Sequence, residues 1–178
     1  MRCVVLCNKI SRFILATFVL GITTLAAHEA RAATLPLRQA GMWQSSTVVT
    51  LADGKKYRDG APIVTVSCVD PSTDLKFFTF EGSSCTSMNI SGSGTTYDID
   101  GACKDEGKPV KIHTQINYVD SETVELAGSV TSATGPVRLQ AEMKFQGPCL
   151  AGMQPGDEGD IENGQFVKAD NINDAGNQ

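Results

Sequence analysis

Histidine is almost missing from this chain: His28 and His113 are the two in 178 residues. His28 falls in a stretch read below as a removable leader. Any Ser-His-Asp or Cys-His arrangement would therefore have to be built on His113 alone. That residue stands between Ile112 and Thr114 on the polar side of an alternating segment, where a solvated imidazole is the plainer reading. No C-x-x-C pair occurs, so neither a dithiol redox motif nor a zinc knuckle is supported. There is no G-x-S-x-G, no H-E-x-x-H, no phosphate-cradling glycine loop and no dinucleotide fingerprint. Asp98 and Asp100 lie two apart on one face of a strand, an arrangement more typical of solubility and edge protection than of paired acid/base work. Enzymatic activity is not expected, and neither is a cofactor or a metal.

What is present at the start of the chain is an address. Lys9 and Arg12 make a positive region, Phe13–Ala27 is an apolar run of about fifteen residues, and Ala30-Arg31-Ala32 is a small-x-small cleavage pattern. A spanning helix needs ~20 apolar residues, and this run stops at His28-Glu29. Residues 1–32 are thus expected to be a signal peptide, cleaved after Ala32, with no stable membrane insertion afterwards. Export to the periplasm follows as the expected localisation. Cleavage removes Arg2, Lys9, Arg12, Arg31 and Glu29 from fifteen basic and twenty acidic residues, leaving eleven and nineteen, a net charge of −8. An acidic body with one small basic knot, Lys55-Lys56-Tyr57-Arg58 in a Gly/Asp loop, argues against nucleic acid or an anionic membrane as partner.

From Gly41 the pattern is period-two alternation. Trp43, Thr47, Val49 and Leu51 share one face of the first strand, and Ile63–Val69 is a β-branched second. Asp70-Pro71-Ser72-Thr73-Asp74 reads as a capped helical start. Phe77, Phe78 and Phe80 then crowd together, as a plug for one end of a core or as an exposed apolar patch. Residues 85–103 read as a hairpin turning at Ser91-Gly92-Ser93-Gly94. Three alternating strands follow, the last with Val137, Leu139, Ala141, Met143 and Phe145 inward and Arg138, Gln140, Glu142 and Lys144 outward. The expected fold is all-β: an antiparallel meander of about seven strands forming a curved sheet or an up-and-down barrel over residues 33–149. Residues 150–178, rich in Gly, Asp, Glu and Asn, are expected to form a disordered acidic tail.

Four cysteines remain after cleavage: Cys68, Cys85, Cys103 and Cys149. In an exported chain they imply two disulfides. A hairpin register centred on Gly94 faces Cys85 with Cys103 and leaves Cys68 for Cys149. Cys68–Cys85 with Cys103–Cys149 is the alternative. Crosslinks of the first kind would contribute roughly 3 and 4.5 kcal/mol. That register, however, sets Ile90 opposite Asp98. A shift of one residue pairs Ile90 with Ile99, and the two hold together only with a bulge near the hairpin's ends, at a place such as Gly101.

Gly41-Met42-Trp43 opening a strand, Cys68 before an Asp/Pro/Ser helical start, a cysteine-bracketed hairpin and a closing Gly147-Pro148-Cys149 together resemble the exported bacterial family numbered 3617 among domains of unknown function. The resemblance covers roughly residues 40–149 and implies a periplasmic β-rich domain of Gram-negative bacteria without established activity. The long acidic tail departs from that family's usual ending at the last cysteine. Separately, Ser91–Tyr97 is similar to the Ser-Gly…Tyr loop of small periplasmic C-type lysozyme inhibitors, which would place this loop in a lysozyme cleft. Their companion aromatic…Lys-Gly loop has no counterpart here. The expected function is a non-enzymatic binding or interaction module for a protein or an apolar small molecule. Its surface would be drawn from Trp43, Phe77, Phe78, Phe80, Tyr97 and Tyr118, with the inhibitor as the alternative.

Overall fold

The computed structural model describes residues 33–79, 85–105 and 107–174; residues 1–32, where a signal peptide is expected, and Phe80 lie outside them. Nine strands form one antiparallel sheet: β1 (Gly41–Thr50), β2 (Ile63–Val69), β3 (Ser87–Ser93), β4 (Thr96–Asp105), β5 (Lys108–Tyr118), β6 (Thr123–Ser132), β7 (Gly135–Gly147), β8 (Asp157–Glu162) and β9 (Gln165–Asn171). The spatial order is β3-β4-β5-β6-β7-β1-β2-β8-β9, so β3 and β9 are the two ends and the sheet stays open. Of the two architectures expected, the curved sheet is the one adopted. Among the described residues no helix is long and apolar enough to cross a membrane.

Register decides which side chains meet. Tyr97 faces Ile116, Tyr118 faces Val124, Val124 faces Met143, and Phe145 faces Trp43, so one aromatic and aliphatic row crosses five strands on a single face. Over that face lie the strap of residues 33–40 and a short helix, α1 (Asp74–Thr79). Leu35 of the strap and Phe78 of α1 are buried in the same cluster as Trp43, Ile99, Ile116 and Val124. The start of α1 is set as the sequence predicts: Asp70 Oδ1 accepts from the Ser72 and Thr73 N–H groups, both at 2.9 Å. Those bonds satisfy donors that a helix start leaves open.

The disulfides are Cys68–Cys149 and Cys85–Cys103. The hairpin resolves its own conflict of parity. β3 and β4 pair in the shifted register, Ile90 opposite Ile99 and Ser87 opposite Ala102. Just before β3, the Thr86 N–H donates to the Ala102 carbonyl at 2.8 Å, so Thr86 and Ser87 both meet Ala102. That one-residue slip lets Cys85 face Cys103. It falls at the start of β3, while Gly101 sits in the regular ladder opposite Met88. The turn is also two residues later than the sequence predicts: Ser93 pairs with Thr96, leaving Gly94-Thr95 as the loop. Gly94 has φ +66°, the value a two-residue turn of the II′ kind requires at its first position, whereas Ser91, Gly92 and Ser93 extend the strand.

The expected tail is corrected more sharply. Residues 157–171, read from composition as disordered, form the β8–β9 hairpin, which docks on β2 through Val66 opposite Gly159 and Ser67 opposite Glu158. The Gly156 N–H also donates to the Cys68 carbonyl at 2.8 Å. Counting charges hid a buried one. Asp157 is only 2% exposed, and it accepts from Asn171 Nδ2 at 2.7 Å and the Gln154 N–H at 2.8 Å, with Lys168 Nζ 2.7 Å away. Gly159 lets the second strand close in, since a Cβ there would lie 2.1 Å from the Val167 carbonyl and 2.9 Å from Phe166. Three partners for that carboxylate and one bare backbone position hold together a segment with few large apolar residues.

Burial of Asp157 alone would raise its pKa, but hydrogen bonds from Lys168, Asn171 and Gln154 outweigh it and hold the carboxyl below its ordinary value. Its stabilising contribution is therefore complete above the unfolded carboxylate's titration near ~4, and is lost as pH falls through the lowered folded value. Acidification below about pH 4 is expected to release β8–β9 first, seen as faster amide exchange there than in β4–β6, and Asp157→Asn should flatten this dependence. For the crosslinks, the Cys68→Ser/Cys149→Ser pair should cost up to about 4.5 kcal/mol and the Cys85→Ser/Cys103→Ser pair up to about 3. Urea unfolding of the two double variants measures the order.

Candidate functional site

The sheet's inner face is organised around a cation. Arg38, in the strap, is 6% exposed, and Asp74, at the start of α1, is 2% exposed. Arg38 Nε donates to Asp74 Oδ1 at 2.6 Å, and the Arg38 backbone N–H donates to Asp74 Oδ2 at 2.8 Å. The guanidinium carbon lies 4.5 Å from the centre of the Phe78 ring, 5.2 Å from Trp43 and 5.7 Å from Phe77. Nη1 donates to Met143 Sδ at 3.2 Å, and Nη2 is buried without a hydrogen-bond partner. Burial pushes the Arg38 pKa down while Asp74 pulls it up.

The surrounding rings hold the strap as well. Trp43 Nε1 donates to the Gln39 carbonyl at 2.8 Å, and the Tyr118 hydroxyl donates to the Pro36 carbonyl at 2.9 Å. Tyr97 meets Tyr118 edge-on, with centroids 6.0 Å apart. Burial, then the Asp74 charge, raises the Tyr118 phenol's pKa, keeping it a neutral donor. Trp43, Phe77, Phe78, Tyr97 and Tyr118 are thus brought together, but as the packing of a core: Trp43, Phe78 and Tyr97 are buried and Phe77 and Tyr118 half-buried. Phe77 and Phe78 make the plug. Tyr97 stands within β4, and the exposed tip beyond it is Ser93–Thr96. Sequence reasoning missed Arg38 and Asp74. A lone arginine in a short segment before the first strand and an aspartate in a helix cap carry no signal that they meet.

Beside this cluster lies a pocket of about 260 Å³, lined by Leu35, Pro36 and Leu37 of the strap, Leu75 and Phe78 of α1, and Ile90 of β3, with Ala33, Thr34, Pro71 and Asp74. Both Asp74 oxygens are taken up by Arg38, so the wall presents apolar surface with no free charge to greet a ligand. Leu37 and Leu75 remain 60% and 39% exposed.

The opposite face of the sheet is polar. His113 Nδ1 lies 2.9 Å from Asp100 and Nε2 3.9 Å from Asp98, so the ring sits on the β4 side. Ser129 is its cross-strand neighbour on β6, with no hydrogen bond between them. The basic knot is solvated, with Lys55 3.3 Å from Asp53 and the Arg58 guanidinium 5.6 Å from the Tyr57 ring. No group of three or more His, Cys, Asp or Glu that could hold a metal is present among the described residues.

Fold and site together define a disulfide-stapled, open antiparallel β-domain closed by a strap and a one-turn helix around a buried ion pair. The chain belongs to the family described as DUF3617, proteins of unknown function, whose sequence profile matches residues 38–149. The match opens at the buried arginine and closes at the last cysteine, so β8–β9 lies beyond it. No curated protein and no solved structure matches the chain.

Breaking a buried pair by removing one partner leaves an uncompensated charge and typically costs about 3–5 kcal/mol. Asp74→Ala is expected to fall in that range by urea unfolding. Arg38→Met combined with Asp74→Leu should recover most of the loss. A double variant no more stable than Asp74→Ala would mean that the geometry of the pair, rather than charge compensation, sets the penalty.

Proposed function

We propose that this protein is an exported, non-enzymatic binding module of the Gram-negative periplasm that takes an acyl chain or a similarly apolar small molecule into the pocket beneath the strap. The observation that carries the reading is the pocket's lining: Leu35, Pro36, Leu37, Leu75, Phe78 and Ile90 converge on about 260 Å³, and the one carboxylate among them is already neutralised. Ligand sites are commonly concave and apolar with few polar groups, and half-exposed leucines at such a spot are better explained by an occupant than by packing. The disulfides agree with an oxidising compartment. A charged head group, if the ligand has one, stays near Leu37 and Leu75 in water, because the pocket offers it no free counter-charge.

The test is organic extraction and mass spectrometry of the purified protein, with binding of a fluorescent fatty acid as a second readout. Co-purifying apolar molecules are expected, and Leu75→Asp, at a position already half in water, should weaken binding at least tenfold with little change in unfolding midpoint. Absence of such molecules together with equal probe binding by Leu75→Asp overturns the reading. Slowing of a C-type lysozyme by the purified protein, with no apolar ligand, would move the function to the Ser91–Tyr97 stretch and the hairpin tip.

A further inference from the structure

The polar face carries a second feature, independent of the pocket. Three adjoining hollows of about 590, 410 and 470 Å³ run along β6, each sharing lining residues with the next. Register gives them their form. Gln115, Ala127 and Gln140 stand in one row across β5, β6 and β7; His113, Ser129 and Arg138 stand in the next; Asn117, Glu125 and Glu142 form the row on the other side. The short side chains of Ala127 and Ser129 make a floor on β6, while longer ones on β5 and β7 rise as two banks. The result is a trough parallel to a strand.

Its chemistry narrows the occupant. No Phe, Tyr or Trp side chain lines any of the three hollows, and the one ring there, the His113 imidazole, is drawn to the β4 side by Asp100, so there is no broad platform for a base or a sugar ring. Two glutamines face each other across Ala127, and a carboxamide offers both a donor and an acceptor, the complement of a peptide group. Rows on one face of a strand recur about every 6.7 Å, which is also the two-residue repeat of an extended peptide laid parallel to it. Acids gather at one end, with Glu125 and Glu142, while Arg138 and Lys111 stand towards the other, where Asp100 is engaged by His113 at 2.9 Å. Glu142 is held by Lys144 at 2.6 Å and Glu125 accepts from Asn117 at 3.3 Å, whereas the Arg138 side chain has no ion pair or hydrogen bond among the described residues.

We infer that the trough over β6 binds an extended peptide segment, its backbone amides between Gln115 and Gln140 and an acidic side chain at Arg138. A guanidinium presents paired donors that match a carboxylate's two oxygens, which makes that end the specific one. An immobilised library of random N-acetylated hexapeptides, probed with the labelled protein, tests it. Retention of peptides enriched in Asp or Glu at one position is expected. Arg138→Gln should erase that enrichment and weaken binding of a selected peptide at least tenfold. Ala127→Leu, which raises an exposed part of the floor, should abolish retention while leaving the unfolding midpoint unchanged. No retained peptides, selection unchanged in both variants, or binding of a chitohexaose probe in place of peptides overturns the inference.

Discussion

The Arg38–Asp74 contact is the constraint on which the closed form of this domain depends. An isolated charge inside a protein is costly, and each of these two is tolerable only beside the other. Arg38 comes from the strap and Asp74 from α1, and the rings they lie among come from α1 and β1. Strap, helix and sheet therefore close together or not at all. The same pair explains the pocket's character, because a carboxylate that would otherwise make its wall polar is occupied from behind. That the family's match begins at Arg38 is consistent with a domain that starts where its inner charge is supplied.

Sequence alternation made the sheet legible. Strands β1 to β7 could be read from period two and turn residues, because a strand with one wet face must alternate, and the cysteine pairing adopted is the first of the two left open. What could not be read is instructive in physical terms. The slip before β3 depends on two crosslinked cysteines overriding a ladder, a contest between neighbours that no single-strand pattern contains. The β8–β9 hairpin was hidden because its stability rests on a buried carboxylate with three hydrogen-bonding or ionic partners and a glycine under a phenylalanine, whereas composition counts acids as if each were solvated. Of the aromatic residues expected to form a surface, Trp43, Phe77, Phe78, Tyr97 and Tyr118 pack against one another. Their meeting place is the core, since Arg38, beside Trp43, Phe77 and Phe78, sits in a short segment before β1 that carries no strand pattern.

The two faces divide the chemistry of the molecule. The inner face ends in an apolar pocket at the strap, while the outer face is a hydrogen-bonding trough along β6 with no Phe, Tyr or Trp in its lining. They lie on opposite sides of one sheet, so the two faces can be altered independently through side chains that never touch one another.

The way β8–β9 is attached has a bearing on how the molecule behaves towards copies of itself. β2 meets β1 through seven paired residues but meets β8 through only two. A backbone edge held by so short a ladder opens more readily than the rest of the sheet. Each opening uncovers the N–H and C=O groups of β2, whose exposed Val64 and buried Val66 are the kind of residue an incoming strand packs against. The hairpin beyond Cys149 thus serves as a bolt on an otherwise sticky border, and Asp157 is the pin that keeps it shut.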